Sequence, residues 1–158
     1  MVVVDVELEE RYWYPDDGGI VWLAGYMPVG EDGRFLGREA PELAAAGLRV
    51  ASVAGAARHH AEALASEHAA PGRPLELRRD PANPHDASAV AVHLPGGAQL
   101  GWVPRELAAE LAPALDAGEP HAAVILREQR ASPRDPRTGL TMLIAAGEAV
   151  ELRVGGRR

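Results

Sequence analysis

The chain has no cysteine and no lysine, few aromatic residues and no long apolar run. Without cysteine there is no disulfide, no thiolate metal site and no thiol nucleophile. Without lysine no Gly-x-x-x-x-Gly-Lys phosphate loop exists, so a Walker-type ATPase cannot be drawn. Any helicase motor would have to come from another chain. No stretch reaches the roughly 18 apolar residues that span a bilayer, so no membrane partner is expected. There is no Gly-x-Ser-x-Gly elbow, and Ser52, Ser66, Ser88 and Ser132 have no recognisable catalytic companion. The six histidines (59, 60, 68, 85, 93 and 121) include no His-x-x-x-His pair on a helical face, so neither metal nor cofactor is expected. These absences remove the Walker ATPase and the thiol and serine-elbow hydrolase readings. Met1–Asp5 lacks a basic leader ahead of its valines, so it is not read as a signal peptide, and a cytoplasmic location is the expectation.

What is present fits one compact unit. The chain has 158 residues, 47% of them hydrophobic, which is enough for one core, and its 17 Gly and 13 Pro imply many turns. All 16 basic residues are Arg and alanine is abundant, the coding habit of a GC-rich bacterial genome. The net charge of −7 is unevenly spread. Residues 1–48 hold ten acids against three Arg, whereas residues 49–158 hold thirteen of each. A broad duplex-binding face is therefore not indicated, but a local basic site is allowed.

Val4, Val6 and Leu8 alternate with acids, the period of a half-buried strand. Asp16-Asp17-Gly18-Gly19 and Glu31-Asp32-Gly33 read as turns, Ile20 to Ala24 as a strand, and Glu42 to Ala46 as a short helix. Tyr12, Trp13, Tyr14, Trp22 and Tyr26 are read as the core of this N-terminal part rather than as a base-stacking platform. Strands are then expected at Leu48 to Gly55, Leu75 to Arg79, Ala89 to Leu94, Ala98 to Val103, Ala122 to Arg127 and Leu140 to Ala145. A helix is expected over 60–68, and another carries Leu107, Leu111 and Leu115 on one stripe, with Pro113 kinking or shortening it. A long polar loop is expected from Ser132 to Gly139. The order β-α-β-β-β-α-β-β with short strands implies a mainly β fold. The expected architecture is a small OB-like or SH3-like six-stranded barrel with two short helices, plus an N-terminal β-containing extension. The expected divisions are an acidic extension over 1–47 packing on the module, the module over 48–152, and a frayed tail over 153–158.

The stretch Arg79-Asp80-Pro81-Ala82-Asn83-Pro84-His85-Asp86 joins two of these strands. Pro81 and Pro84 fix φ and restrict Asp80 and Asn83, so the turn is stiff and keeps Asn83, His85 and Asp86 together. On local chemistry, Asn83 and Asp86 equally suit a turn closed by side-chain-to-backbone bonds. The run Leu77 to Val92, followed by Gly101-Trp102-Val103-Pro104-Arg105-Glu106-Leu107 and preceded by Val50 to Gly55, resembles the HIRAN domain. That is a small β-rich module of DNA-repair helicases and of stand-alone bacterial proteins. The likeness spans about Leu48 to Val150.

The resemblance implies a non-enzymatic module that binds single-stranded DNA at a free 3′-hydroxyl end in DNA repair or processing. Its expected partners are that DNA end and a helicase, nuclease or restriction chain. It places the site on Arg58, His59, His60, Asn83, His85, Asp86, Trp102 and Arg105. In this implied site Asp86 accepts the 3′-hydroxyl proton and repels a 3′-phosphate. His59, His60 and His85 stand where aromatic residues are usual, which implies weaker stacking. The alternative is a protein-interaction domain that keeps the fold without binding DNA, with an edge strand or docking surface around Val2 to Glu10.

Overall fold

The structure, a computed structural model, describes residues 1–14 and 19–155. Asp16, Asp17 and Gly18 of the turn expected at Asp16–Gly19, and the last three residues of the tail, lie outside the described residues. The strands are β1 (Val2–Trp13), β2 (Val21–Pro28), β3 (Leu48–Ser52), β4 (Pro74–Arg79), β5 (Val90–His93), β6 (Gln99–Trp102), β7 (His121–Arg130), β8 (Arg137–Ala146) and β9 (Val150–Val154). The helices are α1 (Pro41–Ala45), α2 (Ala56–His59), α3 (Ala61–Leu64) and α4 (Arg105–Asp116).

The strand β7 organises the whole. Ala123, Val124, Ile125 and Leu126 are all buried, as expected of a strand covered on both faces. Because strand side chains alternate, Ala123 and Ile125 enter one core and Val124 and Leu126 another. Its neighbour β8 divides in the same way, with Leu140, Met142 and Ile144 on one side and Leu143 and Ala145 on the other. The first core is closed by Leu64, Val90, Val92, Leu100 and the α4 stripe. The second is closed by Val4, Val6 and Leu43 of the N-terminal part. Burying a Leu or Ile side chain contributes about 1.5–3 kcal/mol.

The fold is mainly β, and the six strands expected from the sequence are β3 to β8. They are hydrogen-bonded in the order β3-β8-β7-β4-β5-β6. The ring closes through a single bridge, where Ala54 N donates to Trp102 O at 2.8 Å and Trp102 N to Ala54 O at 2.9 Å. The sheet is thus open along most of that seam, and barrel describes it only loosely. Gly101 makes this closure possible, since a Cβ there would stand 2.5 Å from Ala54 O and 2.6 Å from Val53 Cγ1. On the edge of β7 away from β8, β4 pairs with its first half and β2 with its second, and the β7–β8 register shifts between Ile125 and Arg127.

Several expectations need correction. The helix expected over 60–68 is two one-turn pieces, α2 and α3, broken at His60 (φ −136°) and followed by a 3-10 turn at Glu67–Ala69. The break lets Ala56 and Leu64 both plug the first core. The module therefore carries three short helices rather than two, whereas α1 is the helix expected at Glu42 to Ala46. Pro113 does not shorten α4, because in the last turn it deprives only the Ala109 carbonyl of a donor. The strand β8 begins at Arg137, inside the expected loop, drawn in by Glu128. The tail expected to fray from 153 continues as β9 to Val154, parallel to β1, with Arg153 Nε 2.7 Å from Asp5 Oδ1. Finally, Tyr12, Trp13 and Tyr14 are exposed and not core, because they sit at the far end of the β1–β2 ribbon beyond the strands that cover the second core. Among the described residues no helix is long and apolar enough to cross a membrane.

Candidate nucleic-acid interface

The turn between β4 and β5 is built by its own side chains. Asn83 Oδ1 accepts from the backbone N–H of His85 (2.9 Å) and of Asp86 (3.2 Å), and its amide nitrogen donates to Asp80 Oδ2 at 3.2 Å. Asp86 Oδ1 accepts from Ser88 N at 2.9 Å. These are the bonds that Asn and Asp favour in turns. Asn83 is therefore committed to shaping the turn, and its role in any site is to position Asp86. The second Asp86 oxygen faces outward, 3.7 Å from Arg105 Nε at the start of α4.

An open cleft of about 310 Å³ lies in front of that oxygen. Asn83, His85, Asp86, Trp102 and Arg105 line it, with Ala54, Ala89 and Val103 as its apolar wall. Five of the eight site residues expected from the sequence thus meet in one concavity. It offers a carboxylate oxygen, a guanidinium, an indole and an imidazole around a small apolar floor, the mixture that suits a nucleotide.

Arg58, His59 and His60 do not line this cleft. His59 and His60 line a second one of about 530 Å³, with Glu62, Ser66, Leu94 and Gln99. The exposed Arg58 lines neither cleft. The two clefts are neighbours across Gly55, whose conformation (φ +75°) carries the chain from β3 into α2. A Cβ on Gly55 would stand 3.6 Å from both His59 Cδ2 and Trp102 Cδ1, so the imidazole and the indole flank one bare stretch of backbone. Burial, and then the charges of His59 and His93, hold the His60 imidazole below its ordinary pKa of 6.5. Among the described residues no three His, Asp or Glu side chains are placed to hold a metal ion.

Sequence reasoning passed over two residues that hold the cleft. Arg79 donates to the carbonyls of Ala87 (3.0 Å) and Ala89 (2.7 Å) and to both oxygens of Asp116 on α4. It ties the turn to the helix that carries Arg105. Gly101 lets β3 close against β6 and so sets Ala54 beside Trp102. Both lie within the motif, but their roles depend on partners 37 and 47 residues away.

The HIRAN domain family model matches residues 48–146. Among solved structures, the crystal structure of the HIRAN domain of human HLTF is similar, at 25% identity over 65% of this chain and 78% of that one, with a TM-score of 0.46. A Lactobacillus plantarum protein matches at 17% identity over 63% of this chain and 99% of that one, with a TM-score of 0.43. Comparison with curated proteins gives no significant match.

Proposed function

The chain belongs to the HIRAN domain family, a family of DNA-binding modules, and from that premise we propose that it binds single-stranded DNA at a free 3′-hydroxyl end. The terminal nucleotide occupies the cleft of Asp86, Trp102, His85 and Arg105. The observation that carries this reading is the convergence of those side chains, with Asp86 aimed into the cleft by Asn83. The outward Asp86 oxygen accepts the 3′-hydroxyl, Arg105 meets the adjoining phosphate, and Trp102 offers its face to the base. The strand then leaves over Gly55 toward His59, and Arg58 and His60 meet it, if at all, only upstream of the terminal nucleotide. The working unit in this reading is residues 48–152, with 1–47 packed against it, acting beside a helicase, nuclease or restriction chain in DNA repair.

A 3′-phosphate would place like charge against Asp86. Two unit charges about 4 Å apart repel by about 4 kcal/mol at an effective dielectric of about 20, so discrimination of at least about tenfold is expected. The measurement is fluorescence anisotropy with labelled single strands ending in 3′-hydroxyl or 3′-phosphate. The hydroxyl end should bind tighter, and Asp86→Asn should bring the two together. Equal wild-type affinity for both ends, or a preference for 5′ ends, refutes the assignment.

A further inference from the structure

Only part of the outer edge of β1 is covered. The strand β9 pairs with Val2–Val6, and Gly155 N closes the ladder on Val6 O at 3.1 Å. Past that point no strand among the described residues pairs with Glu7–Trp13 on that side. The hydrogen bonds nearby show what this edge presents. Asp5 O accepts from Val29 N, on the β2 side, whereas Val2 N donates to Ala149 O and Val6 O accepts from Gly155 N, on the β9 side. The polar backbone groups of the even-numbered residues therefore point outward. The unbroken β1–β2 register carries that alternation to Leu8, Glu10 and Tyr12.

Folded proteins usually blunt such an edge with Lys, Pro or a bulge. Over Glu7–Trp13 this one has no Lys, Pro or bulge, and only the charges of Glu7, Glu9, Glu10 and Arg11 guard it. It carries Leu8 at 63% exposure and Tyr12 at 50%, next to exposed Trp13 and Tyr14. We propose that Glu7–Trp13 pairs antiparallel with the same segment of a second copy of this chain, about a twofold axis at Glu10.

The edge is complementary to itself in one register. Centred on Glu10, Leu8 stands opposite Tyr12 and Glu9 opposite Arg11, each twice, and the outward N–H and C=O groups of Leu8, Glu10 and Tyr12 meet their counterparts. Glu9 and Arg11 already lie 2.7 Å apart within one chain, so the dimer joins two such pairs into one neutral group of four charges. Centring on Glu9 puts Glu9 against itself and Leu8 against Glu10. Centring on Arg11 puts two guanidiniums together. The favoured register still sets Glu10 opposite its copy, and like charges directly opposite weaken a sheet. The dimer is therefore weak, and the same residue makes it testable.

Sedimentation equilibrium of the full chain should show a concentration-dependent monomer–dimer exchange. Glu10→Gln removes the facing charges and should tighten the dimer, by up to about fivefold for one cross-strand pair. Glu10→Pro removes an outward N–H and leaves the β1–β2 ladder intact, so it should give a folded monomer by circular dichroism that keeps its DNA affinity. If Glu10→Pro fails to fold, Glu10→Gln decides alone. A chain that stays monomeric while soluble overturns the proposal. So does a dimer that survives Glu10→Pro or is weakened by Glu10→Gln, and so does a monomer that adds an arginine-rich extended peptide along this edge.

Discussion

Each of the two clefts is bordered by a loop, and each loop is held from below by one arginine. Arg79 grips the β4–β5 turn at Ala87 O and Ala89 O, with Asp116 balancing its charge. Arg137 grips the end of α3 at Leu64 O (3.1 Å) and Ser66 O (2.8 Å), with Glu128 balancing it. The chemistry is the same and the surroundings are not. Asp116 is 57% exposed, whereas the Glu128 and Arg137 side chains are each 9% exposed. A charge in water costs little to leave alone, and a charge inside the protein costs much. The first clamp therefore serves mainly position, and the second serves stability.

That difference can be broken most forcefully at Glu128. Glu128→Ala strands Arg137 and Arg130 and should destabilise the chain by about 3–5 kcal/mol, measured by urea unfolding. The buried clamp should also be acid-labile. Burial pushes the Glu128 carboxyl up, but the hydrogen bonds and charges of Arg130 and Arg137 outweigh it and hold the group below the ordinary 4.5. A folded pKa below the unfolded one adds stability that is present above 4.5 and lost as pH falls through the folded value. Wild-type stability should decline below pH 4.5, and Glu128→Gln should flatten that decline.

Next in size is the seam that both loops depend on. Gly101→Ala drives a methyl group into Ala54 O and should cost about 2 kcal/mol. It should weaken DNA binding as well, because Ala54 and Trp102 move apart. Arg79→Ala sharpens the contrast in the other direction. Its urea midpoint should shift less than that of Glu128→Ala, while single-strand affinity falls about tenfold, the effect of about 1.4 kcal/mol. A variant that unfolds readily but binds normally would reverse the roles assigned to the two clamps.

The smallest effect tells which loop meets phosphate. With Arg105 as the cation in the Asp86 cleft, and at most one further contact upstream, the log–log salt slope should lie between about −0.7 and −1.4. Burial, and then the charges of His59 and His93, lower the His60 pKa, so His60→Ala should take little from any tightening of binding between pH 7.5 and 6.5. A slope near −5 would mean a broad basic surface instead, and loss of the pH response in that variant would place the strand in the histidine cleft.

Much of this was legible because it is local. Prolines 81 and 84 with Asn83 and Asp86 specify a stiff turn whatever surrounds it, and alternating apolar residues specify the six short strands. The β9 strand was missed although Val150, Leu152 and Val154 alternate, because five residues beside a terminus carry too little pattern without the Asp5–Arg153 pair. Tyr26 does pack against the second core, but Tyr12, Trp13 and Tyr14 were misplaced because a residue type says that burial is favourable, not that a partner surface is within reach.

By itself the sequence determined the rigid turn and a mainly β class, since turn chemistry and alternation are read from residues close in the chain, and its motif blocks carried the family. It also placed Asn83, His85 and Asp86 together. Only the tertiary structure decided that Trp102 and Arg105 join them while Arg58, His59 and His60 face elsewhere. The reason is geometric. The left-handed Gly55 and the break at His60 turn the chain away after β3, and the Ala54–Trp102 bridge sets which side faces the cleft. No spacing in the chain encodes where two distant segments cross, because that depends on how both faces of β7 are covered at once.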